Sequence, residues 1–109
     1  MPPDHNLDGR HEKRLPIAVI VRLRGVKRPH GAGEEKTYTE DVSLHGARVI
    51  SRQPWQPGEE AQVTPLKYGT PARGIVVYCK RLSIDRYLVG LTFPQNPVYW
   101  SNFTYPGVW

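Results

Sequence analysis

Apolar and polar residues alternate along most of this chain, in short runs broken by glycine and proline. The first clear run is residues 17–23. Ile17, Val19, Val21 and Leu23 share one face, while Arg22 and Arg24 stand on the other beside Ala18 and Ile20. Period-two alternation of this kind predicts a half-buried strand. Residues 25–33 (GVKRPHGAG) form a turn-rich connector. Alternation around Tyr38 and Glu40 predicts a second strand over residues 36–42, and residues 47–50 read as a third, short one. Residues 53–58 (QPWQPG) are a loop. Residues 61–66 are a weak fourth strand, and Pro65 near its end predicts an edge position, because proline cannot donate to a ladder. After a turn at 68–71, residues 74–80 and 87–93 are strong strands separated by the polar stretch 81–86. Six short strands without a long amphipathic helix predict a small antiparallel barrel or sandwich.

The two ends differ from this core. Residues 1–9 lack periodicity and read as a disordered tail. Residues 10–14 continue as a polar, flexible arm, and Pro16 makes Leu15 extended. At the other end, Asn96 followed by Pro97 has the chemistry of a helix N-terminus. Tyr99, Trp100 and Phe103 follow at helical spacing until Pro106, which predicts one or two helical turns. These aromatics, with Tyr105 and Trp109, are expected to plug a barrel end or cover a sheet edge. The predicted organisation is a tail (1–9), a barrel domain that includes the arm (10–93) and an aromatic C-terminal segment (94–109).

Length and composition narrow the class. The 109 residues fit one domain, and 39% hydrophobic with 23% charged residues is ordinary for a globular chain. Cys79 is the lone cysteine, so no internal disulfide forms and a reducing compartment is expected. No apolar run suits a signal peptide or a membrane-spanning helix, so the expected location is the cytoplasm. The net charge of +5 favours anionic partners. Most of it lies early: Arg10, Lys13, Arg14, Arg22, Arg24, Lys27 and Arg28 outnumber Asp4, Asp8 and Glu12.

Catalytic chemistry has little support. His5, His11, His30, His45 and Cys79 lack metal-ligand spacing. Neither G-x-S-x-G, H-E-x-x-H nor a P-loop occurs, and no carboxylate pair suggests an acid–base couple. The expectation is a binding protein with no catalytic residues, no metal and no cofactor.

Two motifs suggest what is bound. Arg10-His11-Glu12-Lys13-Arg14 puts two guanidinium groups just before the first strand. Such groups grip phosphate bidentately, stack on bases and bond guanine O6 and N7. The bland alternative is a basic linker. Asp41-Val42-Ser43-Leu44-His45-Gly46 lies between two predicted strands, and its bland reading is turn chemistry. Gly46 would supply a positive φ or a close backbone approach. In the functional reading Asp41 accepts the N1 and N2 hydrogens of a guanine and Ser43 contacts base or phosphate. His45 is expected to face solvent or pack on the surface.

Taken together, Arg-x-x-x-Arg, one strand, Asp-x-Ser-x-x-Gly and the closing strand around Gly90 and Phe93 resemble the PilZ domain family of cyclic di-GMP receptors. The resemblance covers about residues 10–93. It implies an all-β, six-stranded antiparallel barrel whose arginine arm wraps a cyclic dinucleotide against the barrel wall. It also implies ligand contacts from Arg10, Arg14, Asp41, Ser43 and Gly46, and signalling through a partner protein in a bacterial cytoplasm. Gly9 stands where members often carry another basic residue, a position that bears on a second ligand molecule. Two other readings remain open at this point. One is a PilZ-like protein–protein adaptor that ignores nucleotide. The other is a single-stranded nucleic-acid-binding barrel, suggested by the basic N-terminal third with Tyr38 and Trp55.

Overall fold

Ile17, Val19, Val21 and Leu23 point into the interior, as their alternation requires, and Arg22 is left in solvent. The computed structural model describes residues 12–29, 33–67 and 69–100. Arg10 and most of the expected C-terminal helical turn lie outside them. Six antiparallel strands form: β1 (Ile20–Gly25), β2 (Glu35–Ser43), β3 (Gly46–Ser51), β4 (Glu60–Pro65), β5 (Ala72–Ser83) and β6 (Arg86–Thr92). They close into a barrel in the order β1-β2-β3-β6-β5-β4. No helix forms among the described residues. None is therefore long and apolar enough to cross a membrane.

Two expectations need correction. β4 is not an edge, because closure pairs it with β1 on one side and β5 on the other. Pro65 is tolerated because the β4–β5 ladder stops at Val63, so nothing on that side calls for its missing N–H. The polar stretch 81–86 does not separate the last two strands but extends both. Arg81 pairs with Tyr87 and Ser83 with Arg86, and the chain reverses at Ile84 and Asp85, where Asp85 adopts a φ of 58°. This hairpin runs past the barrel, where neither face is buried, so the alternation that marks a strand is absent there.

The core is one cluster built from all six strands and closed at each end by a tryptophan. Beyond the end of β3, Trp55 is 2% exposed and its indole N–H donates to Ser51 Oγ at 3.0 Å. The Arg28 guanidinium lies 4.0 Å from its ring centroid and donates to both Glu59 oxygens at 2.6 and 3.0 Å. Burial disfavours the Glu59 carboxylate, but Arg28 and the Gln56 N–H outweigh it and hold its pKa below the ordinary value. At the opposite end Trp100 packs on Phe93, with ring centroids 6.0 Å apart, and donates to the Ser43 carbonyl at 2.7 Å. The sequence expectation of an aromatic plug is met at Trp100.

Residues 17–19 are strand-like yet do not complete the β1–β2 ladder. The fully buried Thr39 substitutes its side chain for the missing rung: Oγ1 accepts from Val19 N at 2.8 Å and donates to Ile17 O at 2.8 Å. β2 bulges between Thr39 and Asp41 beside this point. Thr39→Val keeps the shape but orphans a buried N–H. It should cost about 1–3 kcal/mol in a denaturant titration, whereas Thr39→Ser should cost less.

Candidate ligand-binding site

The motif around Asp41 is mostly strand. Asp41 and Ser43 end β2, Gly46 begins β3, and only Leu44 and His45 form the turn. The bulge after Thr39 sets the register so that Asp41 stands opposite Arg48 and Ser43 opposite Gly46. Gly46 does not have positive φ; among the described residues the glycines that do are Gly33 and Gly58. Its role is close approach. A Cβ at Gly46 would lie 3.1 Å from the Leu91 carbonyl oxygen, 3.4 Å from Ser43 Oγ and 3.9 Å from Arg14 Nη2.

The second half of the arm docks on this hairpin. Leu15 exchanges backbone hydrogen bonds with Val42 at 2.8 and 3.0 Å. That bridge brings Arg14 over Asp41, and Arg14 Nη1 donates to Asp41 Oδ1 at 2.8 Å. Arg48 Nε donates to the other oxygen, Oδ2, at 2.7 Å, and Arg48 Nη2 also contacts it. One largely buried carboxylate is therefore shared by two half-exposed guanidinium groups. The hydrogen bond to Asp41 is the chief reason that the Arg48 pKa is raised, and a bond to Tyr78 adds to it. Tyr78 can lie across the sheet here because Gly90, its register partner, has no side chain; a Cβ there would overlap the ring.

Glu12, between the two motif arginines, ties the arm down a second time. Its Oε1 accepts from His45 N at 3.0 Å, and Oε2 lies 2.5 Å from His45 Nδ1. Burial disfavours its charge. The hydrogen bonds from the His45 backbone and ring and from Ser43 outweigh this, and the Glu12 pKa falls below its ordinary value. A depressed carboxylate pKa stabilises the docked arm above the unfolded pKa of about 4.3. That contribution disappears as pH falls through the lower folded value. Protection of the Leu15 and His45 amides, relative to their intrinsic exchange rates, should therefore fall on acidification below about pH 4, and Glu12→Gln should remove that pH dependence while the barrel amides keep their protection.

Arg14, Asp41, Ser43 and Gly46 thus meet on one patch, although Arg14 is 27 residues from Asp41 in sequence. Ser43 is buried, its hydroxyl 3.4 Å from the Gly46 carbonyl oxygen. Three participants escaped the sequence reading. Arg48 is recognisable only through its cross-strand register with Asp41. Glu12 was in view as a spacer between the arginines, but its partner lies across the fold. Tyr78 is placed by the empty position at Gly90.

The site is thus an arginine–carboxylate patch on the wall of a closed six-stranded antiparallel barrel. The chain matches the family model of the PilZ domain over residues 8–98, and it belongs to that family. PilZ domains are a cyclic di-GMP-binding family of binding and adaptor modules rather than enzymes. No curated protein matches the chain.

Proposed function

We propose that the chain binds cyclic di-GMP at this patch and passes the signal to a partner protein in a bacterial cytoplasm. Arg10 and Arg14 take the phosphates and stack on or bond guanine; Asp41, Ser43 and Gly46 read a guanine at the wall. The observation that carries the reading is the convergence of Arg14 on Asp41 beside Gly46, from opposite halves of the signature.

The resting arrangement suggests how binding proceeds. Arg14 and Glu12 occupy the groups that a guanine would need, Asp41 and Ser43. Each carboxylate oxygen accepts more than one hydrogen bond, so Arg48 can stay on Asp41 while guanine N1–H and N2–H replace Arg14. Arg14 then turns to a phosphate, its natural bidentate partner. Binding is thus an exchange in which the arm lifts from the hairpin and closes over the ligand, and the changed arm is the signal.

Calorimetric titration with cyclic di-GMP tests the reading. Saturable heat is expected, with little response to GTP or cyclic GMP, and the stoichiometry reports whether Gly9 limits the site to one ligand molecule. A ligand excess of about 100-fold over Kd should also stabilise the fold by roughly 2.7 kcal/mol. Absence of both heat and thermal shift would overturn the reading and leave the adaptor role.

A further inference from the structure

β5 is longer than its neighbour on one side. It spans Ala72–Ser83, but β4 pairs with only its first residues, ending at Ile75 opposite Glu60. Val76 still has partners on that side, in Glu59 O at 2.9 Å and Gly58 N at 2.7 Å. From residue 77 to residue 83 no described strand covers this edge; the loop at Trp55 crosses its near end, where Trp55 N donates to Cys79 Sγ at 3.4 Å. The opposite edge of the same segment is held by β6 down to Ser83. A rigid, one-sided strand edge is a template for a further strand.

The side chains around this edge say what the added strand would be. Large apolar residues are exposed here: Val77 at 55%, Leu82 at 46% and Ile84 at 76%. Lys80, Arg81 and Arg86 surround them against a single acid, Asp85, and all four are exposed. A second copy of this chain pairing edge to edge would bring Lys80 and Arg81 against their own equivalents. The register shifts at 76/78 and 81/83 further discourage indiscriminate pairing. An acidic strand with apolar residues meets no such charge repulsion, and the two register shifts restrict pairing to segments that can follow them.

We infer that residues 77–83 of β5 form a docking edge for an extended, acidic segment of a partner protein, which adds to the sheet as a further strand. Backbone hydrogen bonds supply affinity, Lys80 and Arg81 select acidic sequences, and Val77 and Leu82 receive alternate apolar side chains. Tyr78 within this segment touches Arg48 of the Arg14–Asp41 patch, but the test uses no nucleotide and its variants at Lys80, Arg81 and Leu82 change no residue of that patch, so the proposal stands or falls independently of the ligand reading.

A library of random peptides selected on the full chain tests this. Enriched peptides should be acidic and apolar, should slow amide exchange within residues 77–83, and should lose affinity when alternate peptide amides are N-methylated. The double charge reversal Lys80→Glu, Arg81→Glu, on exposed positions, should weaken them by about tenfold or more without shifting the melting temperature. Leu82→Pro serves as a second variant that blocks pairing without changing charge. The proposal is overturned if no peptide is enriched, if protection maps to another surface, or if the charge reversal leaves affinity unchanged. It is equally overturned if sedimentation shows the edge filled by a second copy, or if phosphatidylglycerol vesicles, rather than peptides, bind in a Lys80- and Arg81-dependent way.

Discussion

Arg14→Ala should abolish cyclic di-GMP binding at micromolar concentrations while leaving the barrel folded. Two charge-assisted hydrogen bonds from one guanidinium are worth about 3 kcal/mol or more together, which corresponds to a loss of about 100-fold or more in affinity. The cost to the fold is small, because Arg14 is half exposed and pairs of that kind contribute about 0–1 kcal/mol. Asp41 keeps Arg48 as a partner, so its charge is not stranded. Calorimetry and a melting curve on the same sample separate the two effects. Arg14→Lys should recover only part of the affinity, since an ammonium cannot form the planar fork. Unchanged nucleotide affinity in Arg14→Ala would remove the arm from the site.

The second large effect is expected on stability. Trp100→Ala removes a side chain that is 3% exposed, packed at a tilt against Phe93 and hydrogen bonded to the Ser43 carbonyl. Truncation of a buried tryptophan costs about 3–5 kcal/mol, a large share of the stability of a domain this size. Trp100→Phe should restore most of the packing and lose about 1 kcal/mol for the hydrogen bond. Urea denaturation with intrinsic fluorescence from the remaining tryptophans measures both. Because the Ser43 carbonyl belongs to the hairpin that carries Asp41 and Gly46, Trp100→Ala should also weaken ligand binding. A cost below about 1 kcal/mol would mean that the barrel closes without the tryptophan.

The sequence reveals strands wherever one face is buried. Residues 17–23 and 47–50 alternate because they line the core; β3 covers the second run, whereas β1 takes in only residues 20–23 of the first and continues to Gly25. Detection fails where that physical cause ends. The β5–β6 hairpin past the barrel buries nothing, so Arg81 to Arg86 read as a polar gap. The Pro65 edge was misjudged for a different reason: barrel closure is a property of the whole sheet, invisible from one strand. At the site, Arg14, Asp41 and Gly46 were legible from residue type and spacing, but the reason for Gly46 was not. Its need comes from the Leu91 carbonyl and the Ser43 hydroxyl, which no local rule brings near. Arg48 and the Glu12–His45 contact depend on register across strands and on where the arm lands, and neither leaves a periodic trace.

The sharing of Asp41 by Arg14 and Arg48 has a consequence for how binding responds to ionic strength. The patch carries its own counter-ion, so part of each guanidinium charge is neutralised internally before any ligand arrives. An incoming phosphate displaces a tethered carboxylate as well as dissolved chloride. Fewer free ions are released than two unpaired arginines would shed. The affinity should consequently fall less steeply with added salt than a count of arginines implies, and Asp41→Asn should steepen that dependence even as it weakens binding.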